Sequence, residues 1–131
     1  MAASQYEHEF EVRFRDCDAF GHVNNAVYLS YLEQTRVEAW HRMMGTSGMP
    51  RSMILARVEI DYRVPATLGD RLRVRQQVVA IGTKSFTLLC AIENVRTRAL
   101  VAEARTVMVM YDYAAGASVP IPADVRAKLE A

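Results

Sequence analysis

The sequence predicts an α+β domain in which one long helix lies across one face of a strongly curved antiparallel sheet of about five strands. Three observations predict it. Apolar residues recur at spacings of three and four over residues 26–44, the period of an amphipathic helix. A strict alternation of apolar and charged residues follows from Ala56 to Val64, the period of a half-buried strand. Further strand-like runs then succeed one another across short turns, as antiparallel neighbours do.

Phe10, Val12 and Phe14 alternate with Glu11, Arg13 and Arg15, which predicts a first strand with one buried face. A loop covers Asp16–Asn25. The helix is expected from Ala26 to Met44. Tyr28, Leu32, Thr35, Ala39 and Met43 form its apolar stripe, and Leu29, Trp40 and Met44 widen it. Glu33, Arg36, Glu38 and Arg42 supply its polar positions. Asn24 or Asn25 is the expected N-cap and Gly45 the stop.

After the loop "GTSGMPRSM", the next strand places Ala56, Val58, Ile60, Tyr62 and Val64 on one face and Arg57, Glu59, Asp61 and Arg63 on the other. Pro65 and Gly69 end it. "DRLRVRQQVVAIG" follows with Leu72, Val74 and Val78 inward, then "TKSFTLLCAIENV" and "ALVAEARTVMVMY". Turns are expected at Gly82–Lys84 and Arg96–Arg98. "PIPADVRAKLEA" reads as a short terminal helix with Pro122 in its first turn. The last long strand is apolar on both faces around Met108, Val109 and Met110. Exposed strand edges promote association, so a dimer that continues the sheet is expected.

Composition bounds the function. The chain has 131 residues, so a single domain over 1–131 is expected. A formal net charge of +1 gives no bulk electrostatic reason to expect nucleic acid or an anionic membrane. No apolar run approaches the ~18 residues of a membrane span. "MAASQYEHEFEV" lacks a basic start followed by an apolar core, so no secretory signal is expected. Cys17 and Cys90 form neither a metal pair nor a redox motif, and read as reduced thiols of a cytoplasmic protein.

The chemistry concentrates in "RFRDCDAFGHVNNAVYLSYLEQTR", Arg13–Arg36. A helix N-terminus carries unpaired N–H groups and partial positive charge, and can hold a developing oxyanion. A carboxylate beside it, Asp18, can attack a carbonyl or orient and deprotonate a water. Asp16, Asn24 and Asn25 also read as ordinary turn and cap residues, and Asp18 itself admits that reading. Cys17 with His22 is a weaker thiol–imidazole candidate, because the flanking carboxylates raise a thiol's pKa. Asp18 with His22 lacks a third metal ligand. Tyr28 and Tyr31 read as helix-face residues. Lys84 and Ser85 sit in a turn, where a solvated surface and a phosphate contact are both open.

The same stretch resembles the hotdog-fold acyl-CoA thioesterases of the 4-hydroxybenzoyl-CoA thioesterase type. Their signature looks like Asp-x-Asp-x-x-Gly-His-Val-Asn-Asn followed by Tyr-Leu-x-Tyr-x-Glu-x-x-Arg. Here it stands as Asp16, Asp18, Gly21, His22, Val23, Asn24 and Asn25, then Tyr28, Leu29, Tyr31, Glu33 and Arg36. The resemblance implies a helix wrapped by the sheet, a dimer or pair of dimers, and an acyl pocket at the subunit interface. It implies Asp18 as the catalytic carboxylate, Asn25 as the backbone N–H donor to the thioester carbonyl, and Asp16 as an organiser of the loop. His22, Asn24 and Tyr28 are expected around the substrate, and Lys84 with Ser85 at its nucleotide end. No metal or redox cofactor is implied. The His-Gly-Gly loop of another hotdog subfamily is absent, so Glu33 is not the implied catalyst. The dehydratase motif is absent too. Plant acyl-carrier-protein thioesterases share a His-Val-Asn-Asn segment, so the acyl carrier stays open between coenzyme A and a carrier protein. A protein that binds acyl-CoA without cleaving it is the other alternative, and the intact Asp18 argues against it.

Overall fold

The structure, a computed structural model, describes residues 5–46 and 52–131. The middle of the "GTSGMPRSM" loop therefore lies outside the described residues. Strand β1 spans Gln5–Glu11, helix α1 Val27–Met44, β2 Met53–Tyr62, β3 Arg71–Ile81, β4 Ser85–Asn94 and β5 Leu100–Asp112. A short β6, Ala117–Ser118, and helix α2, Ala123–Glu130, complete the chain. The strands are antiparallel in the spatial order β1-β3-β4-β5-β2, with β6 on the end of β5.

Alternation decides which face is inside. Leu72 and Val74 of β3, Leu88, Cys90 and Ile92 of β4, and Ala102, Ala104 and Met108 of β5 are all buried on the inner face. The outer face of β1, β3 and β4 is charged instead. Arg73 pairs with Glu9 at 3.0 Å and Glu93 at 3.3 Å, and Arg75 with Glu7 at 3.2 Å. Helix α1 lies over the inner face and buries Tyr28, Tyr31, Leu32, Thr35, Arg36 and Trp40. Gly45 ends it in left-handed geometry with φ 67°, where a Cβ would be strained, and its N–H donates to the His41 carbonyl. Helix α2 closes the far end through buried Val125 and Leu129, and Lys128 Nζ donates to the Met43 carbonyl at 2.9 Å.

Several expectations need correction. The first strand stops at Glu11, and Phe14 begins a single 3-10 turn, Phe14–Asp16, where it is 82% exposed. The chain must leave the sheet there, because Asp16 turns back to bind the Arg13 N–H. The helix has no Asn side-chain N-cap. Ala26 holds that position, while Asn24 Oδ1 accepts the Ala26 N–H at 2.9 Å and the Asn24 carbonyl accepts Val27 N–H. Asn24 thus satisfies the first turn from two residues upstream. Leu29 of the expected stripe is exposed, whereas Arg36, read as a polar position, is buried. Pro122 stands just before α2 as its N-cap instead of within it.

The β2 strand departs most. A register shift between Leu55 and Arg57 bulges Ala56 out, so only Val58 and Ile60 of the expected face are half-buried. Moreover β2 pairs with β5 and not with β3, so residues 63–70 carry the chain from one sheet edge toward the other. The meander is confined to β3, β4 and β5. Strand β5, expected at an edge, is flanked on both sides by β4 and β2. The edges are β1 and β2.

Candidate active site

Loop 16–26 is built around a buried carboxylate. Asp16 is 4% exposed and accepts the Arg13 N–H at 3.0 Å and the Tyr31 hydroxyl at 2.9 Å through Oδ2. Burial pushes its pKa up. The Arg13 N–H, the Tyr31 hydroxyl and the Arg13 charge outweigh that and hold the carboxyl below its ordinary value. Its carbonyl accepts the Asn24 N–H at 2.9 Å, which ties the two ends of the loop together. Asp16 is therefore committed to the loop and does not line the cleft that Asp18 faces.

Asp18 stands on the turn that this frame supports. Its N–H donates to the His22 carbonyl, its carbonyl accepts the Gly21 N–H, and Oδ1 accepts the Phe20 N–H at 2.9 Å. Gly21 takes φ 83°, a conformation the tight turn requires and a side chain would resist. Val23 N–H binds the Ala66 carbonyl, and His22 bridges to Thr67, so the turn is pinned to the segment after β2. Among the described residues no donor reaches Asp18 Oδ2.

An open cleft of about 390 Å³ faces this turn, lined by Asp18, His22, Asn25, Tyr28, Tyr62 and Arg63 among others. It lies at the N-terminus of α1. Tyr62 donates its hydroxyl to the Asn25 carbonyl at 2.8 Å and stacks edge-on against Tyr28 at 5.4 Å. The Ala26 and Val27 N–H groups are both taken by Asn24. The Asn25 N–H has no acceptor among the described residues. A carboxylate and an unclaimed helix N-terminal donor thus line one space, which suits an acyl group whose carbonyl develops charge. The Tyr28 hydroxyl accepts the Ala66 N–H at 3.3 Å, and burial raises its pKa, so it stays a neutral wall.

The other candidates fall in different places. His22 is exposed at the cleft rim. Asn24 braces the loop and does not line the cleft. Cys17 points its thiol at the Arg13 carbonyl, 3.7 Å away, outside the cleft lining. Among the described residues no three His, Cys, Asp or Glu side chains gather as metal ligands. Lys84 and Ser85 are not brought to the cleft. Tyr62 is level with Ile92 of β4 through Ala102, and Ser85 is seven residues further along β4, roughly 23 Å away. Lys84 Nζ instead donates to Ser118 Oγ at 3.5 Å. Tyr62 and Arg63 are among the lining residues that the sequence reading missed. They looked like ordinary members of an alternating strand, and only the return of the chain to the helix end gives them a role.

The wrapped helix and its sheet are the hotdog fold, and the class of protein is a thioester hydrolase. The chain belongs to the thioesterase-like superfamily, whose profile matches residues 12–129. It is 29% identical over 125 residues to the long-chain acyl-CoA thioesterase FadM of Escherichia coli, covering 93% of this chain and 95% of that one. A thioesterase of Thermus thermophilus, solved with coenzyme A and Zn, aligns with a TM-score of 0.84 and 31% identity over 96% of this chain and 98% of its own. A predicted thioesterase from Bacillus stearothermophilus aligns with a TM-score of 0.88 and 27% identity, covering 96% and 94% of the two chains. No helix among the described residues is long and apolar enough to cross a membrane.

Proposed function

We propose that the protein hydrolyses an acyl-CoA thioester to a free acid and coenzyme A, with Asp18 as the catalytic carboxylate and the Asn25 N–H as the oxyanion donor. One observation carries this reading: Asp18 and Asn25 line the same cleft, and each presents an atom that the fold leaves unclaimed. The thioester carbonyl sits over the start of α1. Asp18 either attacks it, giving a mixed anhydride that a water then hydrolyses to the free acid and the restored carboxylate, or deprotonates a water that attacks it directly; in both the C–S bond breaks and the coenzyme A thiolate leaves and takes a proton from solvent. The donor at the helix end holds the negative oxygen formed on the way. The names of the two relatives, one acting on long-chain acyl-CoA and one holding coenzyme A, support coenzyme A as the carrier.

In this reading residues 1–131 act as one cytoplasmic domain that works as a dimer or a pair of dimers. The open cleft and the exposed Ile54 and Leu55 on the β2 edge support a second copy. Lys84 and Ser85 lie too far from Asp18 to serve the site of their own chain, so a phosphate contact from them requires the site of a neighbouring copy. Thiol release from acyl-CoAs of graded length and aromaticity tests the activity. A folded protein that binds these thioesters and turns over none of them is a binding protein, and the reading fails.

A further inference from the structure

Arg36 and Glu33 carry opposite charges one turn apart on α1, and neither has an ion-pair partner among the described residues. Arg36 is only 9% exposed, in the middle of the helix. Removing a guanidinium from water is unfavourable unless a charge-assisted partner replaces the water. The Glu33 charge acts on Arg36 but only partly offsets the burial that lowers the guanidinium pKa. Glu33 itself is exposed. Both residues line one cleft of about 130 Å³, with Leu29 and Ser30 of α1 and Leu55 and Val58 of β2. Leu29 and Leu55 are exposed there as well.

The cleft lies along a free sheet edge. Strand β2 pairs with β5 on one side, and among the described residues no strand pairs with its other side. Helix α1 runs antiparallel to β2. Tyr28 near the start of the helix meets Tyr62 at the end of the strand, and Trp40 and Met43 share a space with Met53 at the strand's start. A two-fold contact places the same patch of both copies face to face, so the patch must complement itself. If the whole β2 edge, Met53–Tyr62, pairs with the same edge of a second copy, the axis falls at the middle of the strand, between Arg57 and Val58. Val58 is the β2 residue that shares the cleft with Glu33 and Arg36, together with Leu55. The two helices then run antiparallel on either side of the axis, with Glu33 of each level with Arg36 of the other.

We propose that a second copy of this chain fills the α1–β2 cleft and that Arg36 pairs there with Glu33 of that copy, twice about the two-fold axis. This rests on the dimer reading above and names the contact that holds the dimer. A cation and an anion on one patch are what a two-fold requires. An unrelated acidic partner would satisfy Arg36 and set its own charge against Glu33.

The test is charge reversal read by sedimentation at micromolar concentration, with far-UV circular dichroism to confirm folding. Glu33→Arg sets two cations against each other at both contacts and is expected to weaken self-association at least about 100-fold. Arg36→Glu should do the same with two anions. Glu33→Arg with Arg36→Glu in one chain restores opposite charges at both contacts and should recover the dimer. An equimolar mixture of the two single variants should form mixed dimers, although each variant alone does not associate. A wild-type dimer whose strength is unchanged in a folded Glu33→Arg protein overturns the pairing and leaves the dimer reading standing. Weakened association in both single variants without recovery in the double variant or the mixture also overturns it. A monomeric wild-type protein overturns the pairing and the dimer reading together. Arg36 is buried, so Arg36→Glu and the double variant can fail to fold. Glu33→Arg against Glu33→Gln then decides: reversal should weaken the dimer more than neutralisation, and equal values overturn the pairing.

Discussion

The Tyr31 hydroxyl donates to Asp16 Oδ2 at 2.9 Å, joining the first third of α1 to the loop that carries Asp18. Both residues are buried, and Phe10 stacks on the Tyr31 ring at 4.9 Å. The bond holds Asp16 ionised and, through the Asp16 carbonyl and Asn24, fixes the loop ends. Burial and the neighbouring carboxylate keep Tyr31 protonated, so the donor is permanent.

Tyr31→Phe should therefore destabilise the fold by ~1.5–3 kcal/mol at neutral pH, the usual worth of a hydrogen bond to a charged group. The sign of its pH dependence follows from Asp16. The folded-state pKa is depressed, so this stabilisation is fully present above the unfolded pKa of ~3.9 and is lost as pH falls through the lower folded value. Urea unfolding at pH 7 and pH 3 should show the gap between wild type and Tyr31→Phe shrinking on acidification. A gap independent of pH would mean that the carboxylate is not the partner.

The two thiols should behave differently. Cys90 is 1% exposed, and burial pushes its pKa up to about 12, opposed by the Arg36 charge. Cys17 is half-buried on the loop. Since the thiolate is the reactive form, a colorimetric thiol reagent at neutral pH should titrate one thiol in the native protein and two after unfolding. Cys17→Ser should remove the fast one. Two fast thiols in the native protein would show that the sheet opens around Cys90.

Much of this was legible in the sequence, and the reasons differ by element. Local signals carried α1, its Gly45 stop and the β3–β5 meander, because periodicity and turn residues act over a few positions. The partner of β2 was hidden, since pairing Ile60 with Ala104 is a choice between distant segments that alternation alone does not encode. Arg36 looked like a solvated helix position because its type, and not its place over Cys90 and Gln76, is what a sequence displays. Asp18 and Asn25 could be named as a pair from the motif, but the cleft they share depends on Tyr62 returning to the helix end. The distance of Lys84 from that cleft is a length along a strand, visible only once the register is known.

Lys84 gives a test of assembly. If it contacts a phosphate of coenzyme A, the contact belongs to the site of a neighbouring copy. Lys84→Ala should then raise KM and weaken its salt dependence, as removal of one screened charge contact does. Mixing Lys84→Ala protein with Asp18→Asn protein under subunit exchange should regenerate mixed dimers that hold one complete site, with wild-type KM. Sedimentation at micromolar concentration should show species heavier than the 14.8 kDa chain. A purely monomeric protein, or a KM for Lys84→Ala indifferent to salt and mixing, would remove Lys84 from the site.

The division of labour between the two carboxylates of the loop is the sharpest expectation. Asp18 is half-buried at the cleft, with Oδ1 occupied by the Phe20 N–H and no donor to Oδ2 among the described residues. Asp18→Asn preserves the acceptor that holds the turn and removes the charge that would attack or activate water. It should lower kcat by at least ~100-fold, the low end for a positioned acid–base group, with KM and the unfolding midpoint little changed. Asp16→Asn acts through structure instead. It places an amide against the Arg13 N–H and Tyr31 hydroxyl donors, in a space that is 4% exposed. Its main loss should be stability, of ~1–3 kcal/mol, with kcat per folded molecule falling much less than in Asp18→Asn. Measuring kcat and urea midpoints for both variants separates the roles. Near-normal turnover in a folded Asp18→Asn protein would strip Asp18 of its role and turn attention to Cys17 with His22, or to Glu33.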